Sequence, residues 1–304
     1  MHQLYRAVFE PGFFGSPQVH IAVTIGGVVA VVSAIVGVFT VMRGQSFAGH
    51  ALGDVSAAGG SGALLIGLSP IAGFVGLGMV GAGVMDLIGV QRLRGRDIAT
   101  GIVLGAAIGL SALFLYLGSV SGATTGATQQ ILFGSIFSTT SGTVQVVVLL
   151  GTLAVASIAV ICRPLLLATV NPDIAAARGI PVRLVGLSYM LALAVSVGLS
   201  SLAIGAILST ALLIGPAAAA LRLTKRVAWA LATACVIGVL TTWIGVLLAY
   251  DSYYWGSSHQ HLPVSFFIVA LIFATYLASG IRVSGAAARP AEPAEGVARV
   301  EAGA

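Results

Sequence analysis

The chain is written as a series of apolar runs separated by short stretches that hold most of its charge. About 20 apolar residues in a helix, rising about 1.5 Å each, span the roughly 30 Å of a bilayer's hydrocarbon core. In hydrocarbon every backbone N–H and C=O must be paired within the chain, which leaves helices or closed barrels. Barrel strands read as short alternating segments, whereas these runs are continuous. The chain is therefore read as all-α: a polytopic integral membrane helical bundle with about nine transmembrane helices. They are expected near 19–42, 46–66, 69–90, 98–119, 144–166, 184–201, 203–221, 227–249 and 264–282.

Composition agrees. Of 304 residues, 58% are hydrophobic and only 8% charged, against about a quarter charged in soluble domains. The net charge of +5 does not point to nucleic acid, because basic residues come one to three at a time at the ends of apolar runs. Cys162 and Cys235 lie in apolar runs with no CxxC or Cys/His cluster, so neither a disulfide framework nor structural zinc is expected. Residues 1–18 lack a basic-then-apolar leader pattern.

Arg and Lys set the expected orientation. Arg43, the Arg92–Arg94–Arg96 loop, Arg163 with Arg178 and Arg183, Arg222–Lys225–Arg226 and Arg282 fall on one side of a nine-span chain. The loop Asp251–Leu262 on the other side has no Lys or Arg, and Arg6 is the exception. Residues 1–18 are then extracytoplasmic and 19–283 form the transmembrane domain. Residues 284–304, an Ala/Pro/Glu tail with no apolar face, are cytoplasmic and expected to be disordered. Two stretches stay open. Gly205 could break 184–221 into a re-entrant element, and 120–143 is rich in Ser, Thr and Gly before turning apolar at Ile131–Phe137. The many glycines within the runs are read as packing positions.

His50 and Asp54 stand out inside one apolar, glycine-rich run. Ionisable groups at that depth tend to face a bundle interior or an ion path. A spacing of four puts both on one helix face, about 6 Å apart along the axis. They can bond to each other, cap a helix end, or act as ligands. Imidazole with carboxylate suits zinc, manganese and iron(II). Two ligands do not close such a site, but two copies of the pair across a dimer axis supply four. Asp97 is expected to cap the helix near 98–119, and Asp86 to partner the nearby arginines.

Between two runs, Asn171–Val182 reads NPDIAAARGIPV. Pro172 suits a first helical turn, and Asp173 favours its positive end. Ala175, Ala176 and Ala177 propagate the helix, and Gly179 with Pro181 stops it. Two isolated turns are marginal in water, so this helix packs either on the chain's own helix ends or on another protein.

RPLLLATVNPDIAAARGIPV resembles the coupling segment of the permeases of ATP-binding-cassette importers of zinc, manganese and iron. QSFAGHALGDVSAAGG resembles that family's second-helix signature, and ILFGSIF (131–137) its LFGSI stretch. GAILSTALLIGPAAAALRL (205–223) resembles the late-helix signature, and LPVSFFIV (262–269) the start of the last helix. The matches run in family order over roughly 20–282. The resemblance implies a homodimeric permease in the bacterial plasma membrane, with an ABC ATPase beneath and an extracytoplasmic metal-binding protein above. Its cargo would be Mn, Zn or Fe(II), with ATP on the partner subunit and no cofactor of its own. ATPase coupling falls to Asn171, Pro172, Asp173, Ala175, Gly179 and Pro181, and the metal path to His50 and Asp54. The family usually has Asp first and His four residues later, so the ligand types are exchanged here. The loop 251–261 is longer and more polar than the family's turn. His259 and His261 in it are weaker metal candidates, read first as solvated or helix-capping. Ser265 replaces the family's glycine in PxG.

The chain has one lysine, Lys225, and no GxxxxGK[S/T] loop, which excludes a P-loop ATPase. The remaining rivals are a permease for a chelated metal such as a siderophore, and a gradient-driven carrier with His50 and Asp54 as proton relay. An intramembrane enzyme fits poorly, because His, Asp and Glu are scarce within the runs.

Overall fold

A computed structural model describes residues 15–88, 96–120, 126–134, 136–137, 139–252 and 262–287. Among them the chain forms eleven helices: α1 (Pro17–Met42), α2 (Ser46–Leu65), α3 (Pro70–Ile88), α4 (Arg96–Val120), α5 (Ala127–Phe133), α6 (Ser141–Val170), α7 (Pro172–Ala177), α8 (Val182–Ile204), α9 (Ala206–Leu223), α10 (Val227–Asp251) and α11 (Val264–Ala287). No strand occurs among the described residues. Each of the nine predicted runs is a helix. Eight are long and apolar enough to cross a bilayer. The ninth, α2, is diluted by glycine, serine, His50 and Asp54. Protein rather than lipid surrounds it, since thirteen of its twenty residues are buried.

The two open stretches resolve differently. Residues 184–221 are two full helices, α8 and α9, parted only by Gly205 at φ +91°. A Cβ there would stand 2.1 Å from the Leu132 carbonyl oxygen, so the chain needs glycine for both conformation and space. Residues 120–143 are not a span. They contain only the seven-residue α5, whose Ile131 is buried and which packs on α2, α8 and α9. Some ends move as well. α6 continues through Pro164 to Val170, and α11 runs to Ala287, past its expected end at 282. The first turn of α4 already includes Asp97, so that carboxylate acts through the helix dipole rather than as the expected N-cap.

The bundle is built around α1, α2 and α8. α1 packs on α6, α8, α9 and α10, while α2 packs on α3, α4, α8 and α9. Small residues let these backbones touch. A Cβ on Gly59 would sit 2.1 Å from the Gly73 carbonyl oxygen across α2–α3, and one on Gly37 1.9 Å from that of Leu213 across α1–α9. Such close approach drives helix association where lipid offers no hydrophobic gain. Gly76 and Gly83, by contrast, face open space on α3. Buried hydroxyls stitch α1 to α8: Ser33 Oγ lies 2.7 Å from Ser200 Oγ, and Tyr189 donates to Thr40 Oγ1 at 2.9 Å. Asp86, at the end of α3, stands 4.0 Å from Arg183 Nε at the start of α8.

Candidate metal site and docking helix

The turn Arg43–Gln45 carries the chain from α1 into α2, with Gly44 exposed and Gln45 buried. A Cβ on Gly49 would meet Leu213, Thr40 and Leu193 within 4 Å, and Leu193 is the midpoint of α8 (Val182–Ile204). One residue later comes His50. The pair thus stands level with the middle of the long helices, although it opens α2.

His50 and Asp54 share one face, as their spacing requires. Nε2 of His50 is 3.8 Å from Oδ2 of Asp54. That is too long for a hydrogen bond. It is close to the roughly 3 Å between neighbouring ligand atoms of one ion when each bond is about 2.1 Å. The other ring nitrogen, Nδ1, is 3.0 Å from Thr210 Oγ1 on α9. The His50 side chain is 41% exposed and that of Asp54 19%, so in a single chain the pair opens onto a surface. Phe47, one turn earlier, and Ile207, near Thr210, are exposed beside it. Among the described residues no three His, Cys, Asp or Glu side chains converge to hold an ion. One chain brings two such donors together, His50 and Asp54. His259 and His261 lie outside the described residues.

Thr210 is the site residue that sequence reasoning missed. It stands in GAILSTALLIGPAAAALRL, where Ser209–Thr210 is a small polar interruption of an apolar helix. Its partner is 160 residues away. The two hydroxyls then diverge, since Ser209 turns inward to the Ala206 carbonyl.

The α7 segment folds as its residues dictate. The Asn171 side chain accepts from the N–H groups of Asp173 and Ile174, both at 3.0 Å. At the other end Gly179 is left-handed at φ +77°. Its N–H donates to the Ala176 carbonyl at 2.9 Å, and that of Ile180 to the Ala175 carbonyl at 3.1 Å. That pair of bonds is a Schellman stop. Ala175 is fully buried against the chain's own helices, as α7 packs on α6 and α8. Asp173, Ile174, Ala176, Ala177 and Arg178 are exposed. The helix docks by one face and presents the other, so both uses foreseen for it remain open to one element.

A family model described as "ABC 3 transport family" matches residues 17–279. The manganese transport system membrane protein MntC of Halalkalibacterium halodurans is 29% identical over 225 residues, covering 74% of this chain and 76% of that protein. The chelated iron transport system membrane protein YfeC of Yersinia pestis is 29% identical over 233 residues, covering 75% and 76%. Among solved structures, PsaBC from Streptococcus pneumoniae in complex with Fab is similar in fold, with a TM-score of 0.75 at 22% identity. The match covers 88% of this chain and 92% of that one.

Proposed function

The chain belongs to the ABC 3 transport family, and from that membership we propose that it is the membrane-spanning permease subunit of an ATP-driven importer of divalent transition metal ions. The observation that carries the cargo class is the His50–Asp54 pair, held at mid-bundle on a partly open face. Mn, Zn and Fe(II) all accept these donors. Manganese is the ion to test first, because the Halalkalibacterium halodurans relative is named for it.

Two copies of the chain bring their open faces together, and two pairs supply four ligands to a dehydrated ion between them. Thr210 fixes the His50 ring. With Nδ1–H donating to Thr210 Oγ1, the Nε2 lone pair is left toward Asp54 and the ion, the second-sphere arrangement common to ligating histidines. Binding must stay weak enough for release. The exposed side of α7, with Asn171, Pro172, Asp173, Ala175, Gly179 and Pro181 setting its shape, engages an ABC ATPase. Closure of two ATPases moves α7 and switches the path between outward and inward access. An extracytoplasmic binding protein delivers the ion. Residues 1–18 lie outside the cell, and the segment after α11 lies in the cytoplasm.

The test is a pull-down of the chain in mild detergent with mass identification of partners, repeated with Gly179→Asp. An ATPase retained by the native chain and lost by the variant supports the assignment. A well-folded chain with no ATPase in either sample would sink it and favour a gradient-driven carrier.

A further inference from the structure

The guanidinium of Arg43 lies where three elements meet. Arg43 caps the C-terminus of α1. Its Nε donates to Gln45 Oε1 at 3.4 Å, and Gln45 is the buried N-cap of α2. Its Nη1 donates to Thr169 Oγ1 at 3.2 Å, and Thr169 precedes by two residues Asn171, the N-cap of α7. Its Cζ stands 5.1 Å from the centroid of the Tyr189 ring on α8. Tyr189 is itself fully buried and donates to Thr40 Oγ1 of α1. One planar cation thus touches the residue two before the docking helix's N-cap, the helix that follows it, and the N-cap of the helix that carries His50. The distance onward is short. From Gln45 to His50 is five residues of one helix, about 7.5 Å along its axis.

We propose that Arg43 is the positioning residue that transmits movement of α7 to the metal-ligand face of α2. The inference rests on the permease reading given above and names a route that reading lacks. Among the described residues α7 packs mainly on α6 and α8. Packing through α8 gives its motion one route to α2, and Arg43, bonded to Thr169 and Gln45, gives a second, direct polar one. A fork with several fixed N–H donors and a flat face can bond Gln45 and Thr169 while stacking on Tyr189. Lysine offers one nitrogen and no plane, so it cannot hold all three contacts. A topology anchor needs only positive charge. Arg43→Lys therefore separates the two roles.

The test uses the full chain with its ATPase in lipid nanodiscs, with Cys162→Ala and Cys235→Ala. Phe47→Cys serves as reporter, exposed one turn before His50 and outside the ligand pair. Its reaction rate with a water-soluble thiol reagent is measured with and without ATP. With Arg43 present, ATP is expected to change the rate by about fivefold or more, a common size for coupling between sites. Arg43→Lys and Thr169→Val are each expected to bring that ratio close to unity while ATP hydrolysis and ATPase binding persist. Thr169→Val removes one hydroxyl at nearly constant volume, so it reports even if Arg43 variants fold poorly. A native ratio in both variants, or no ATP response with Arg43 in place, would overturn the inference. Mn2+ uptake by the same preparation reads the permease assignment separately. ATP-dependent reactivity without uptake leaves the Arg43 link standing and removes the metal cargo.

Discussion

At the scale of single residues, the proposed metal path rests on three side chains, His50, Asp54 and Thr210. An ionisable group at mid-membrane costs a few kcal/mol, and the His50–Asp54 pair does not recover that through a hydrogen bond, because its atoms are 3.8 Å apart. His50→Ala and Asp54→Ala should each reduce Mn2+ uptake by more than tenfold with the ATPase still bound, because each removes two of the four proposed ligands, one from each copy. Unchanged uptake in both would end the ligand assignment. Thr210→Val should lower uptake by about tenfold, the usual effect of removing the group that orients a ligating histidine. The pair was legible in the sequence because spacing alone puts two ligand types on one helix face. Thr210 was not, since a lone threonine in an apolar helix reads as packing until its partner across the fold is known.

At the scale of elements, α7 and the α8–α9 junction follow from local chemistry. Asn171→Ala removes an acceptor shared by two N–H groups and should cost about 1 kcal/mol of local helix stability. The expected readout is weaker ATPase binding with normal membrane insertion. At Gly179 a Cβ meets nothing within 4 Å, so a side chain there disturbs a docked partner more than the chain itself. Gly205 is the opposite case. Gly205→Ala would force a left-handed alanine against the Leu132 carbonyl, a loss of more than about 2 kcal/mol from strain and overlap. Its thermal midpoint in detergent should drop clearly, and an unchanged midpoint would show that the junction relaxes. Gly179 and Gly205 could be read from sequence as a stop and a break, whereas the Asn171 cap shows only in its bonds to Asp173 and Ile174. The fate of the break could not be read that way. Whether glycine ends a re-entrant loop or joins two full helices depends on what lies across from it, here Leu132 and Gly134.

At the scale of the whole molecule, the proposed metal site needs two copies of the His50–Asp54 pair. The intact transporter should therefore contain two copies of this chain for every two ATPases, as native mass spectrometry would count. A complex that holds a single copy of this chain and still carries Mn2+ would refute the shared site. A reporter fused after the last helix should sit in the cytoplasm, given where Arg and Lys fall along a nine-span chain. By itself the sequence determined the class of fold, the number of long helices, and where the two motifs with chemistry in them lie. Those depend on hydropathy, spacing and capping, which act over one or two helical turns and are written where they act. Only the tertiary structure decided that α2 is sheathed in protein, and that the residue before His50 packs against the midpoint of α8. It also decided that Thr210 meets the His50 ring and that Arg43 touches Gln45, Tyr189 and Thr169. Apart from Arg43 with Gln45, each of these is a contact between residues far apart in sequence, and such contacts exist only once the helices have packed.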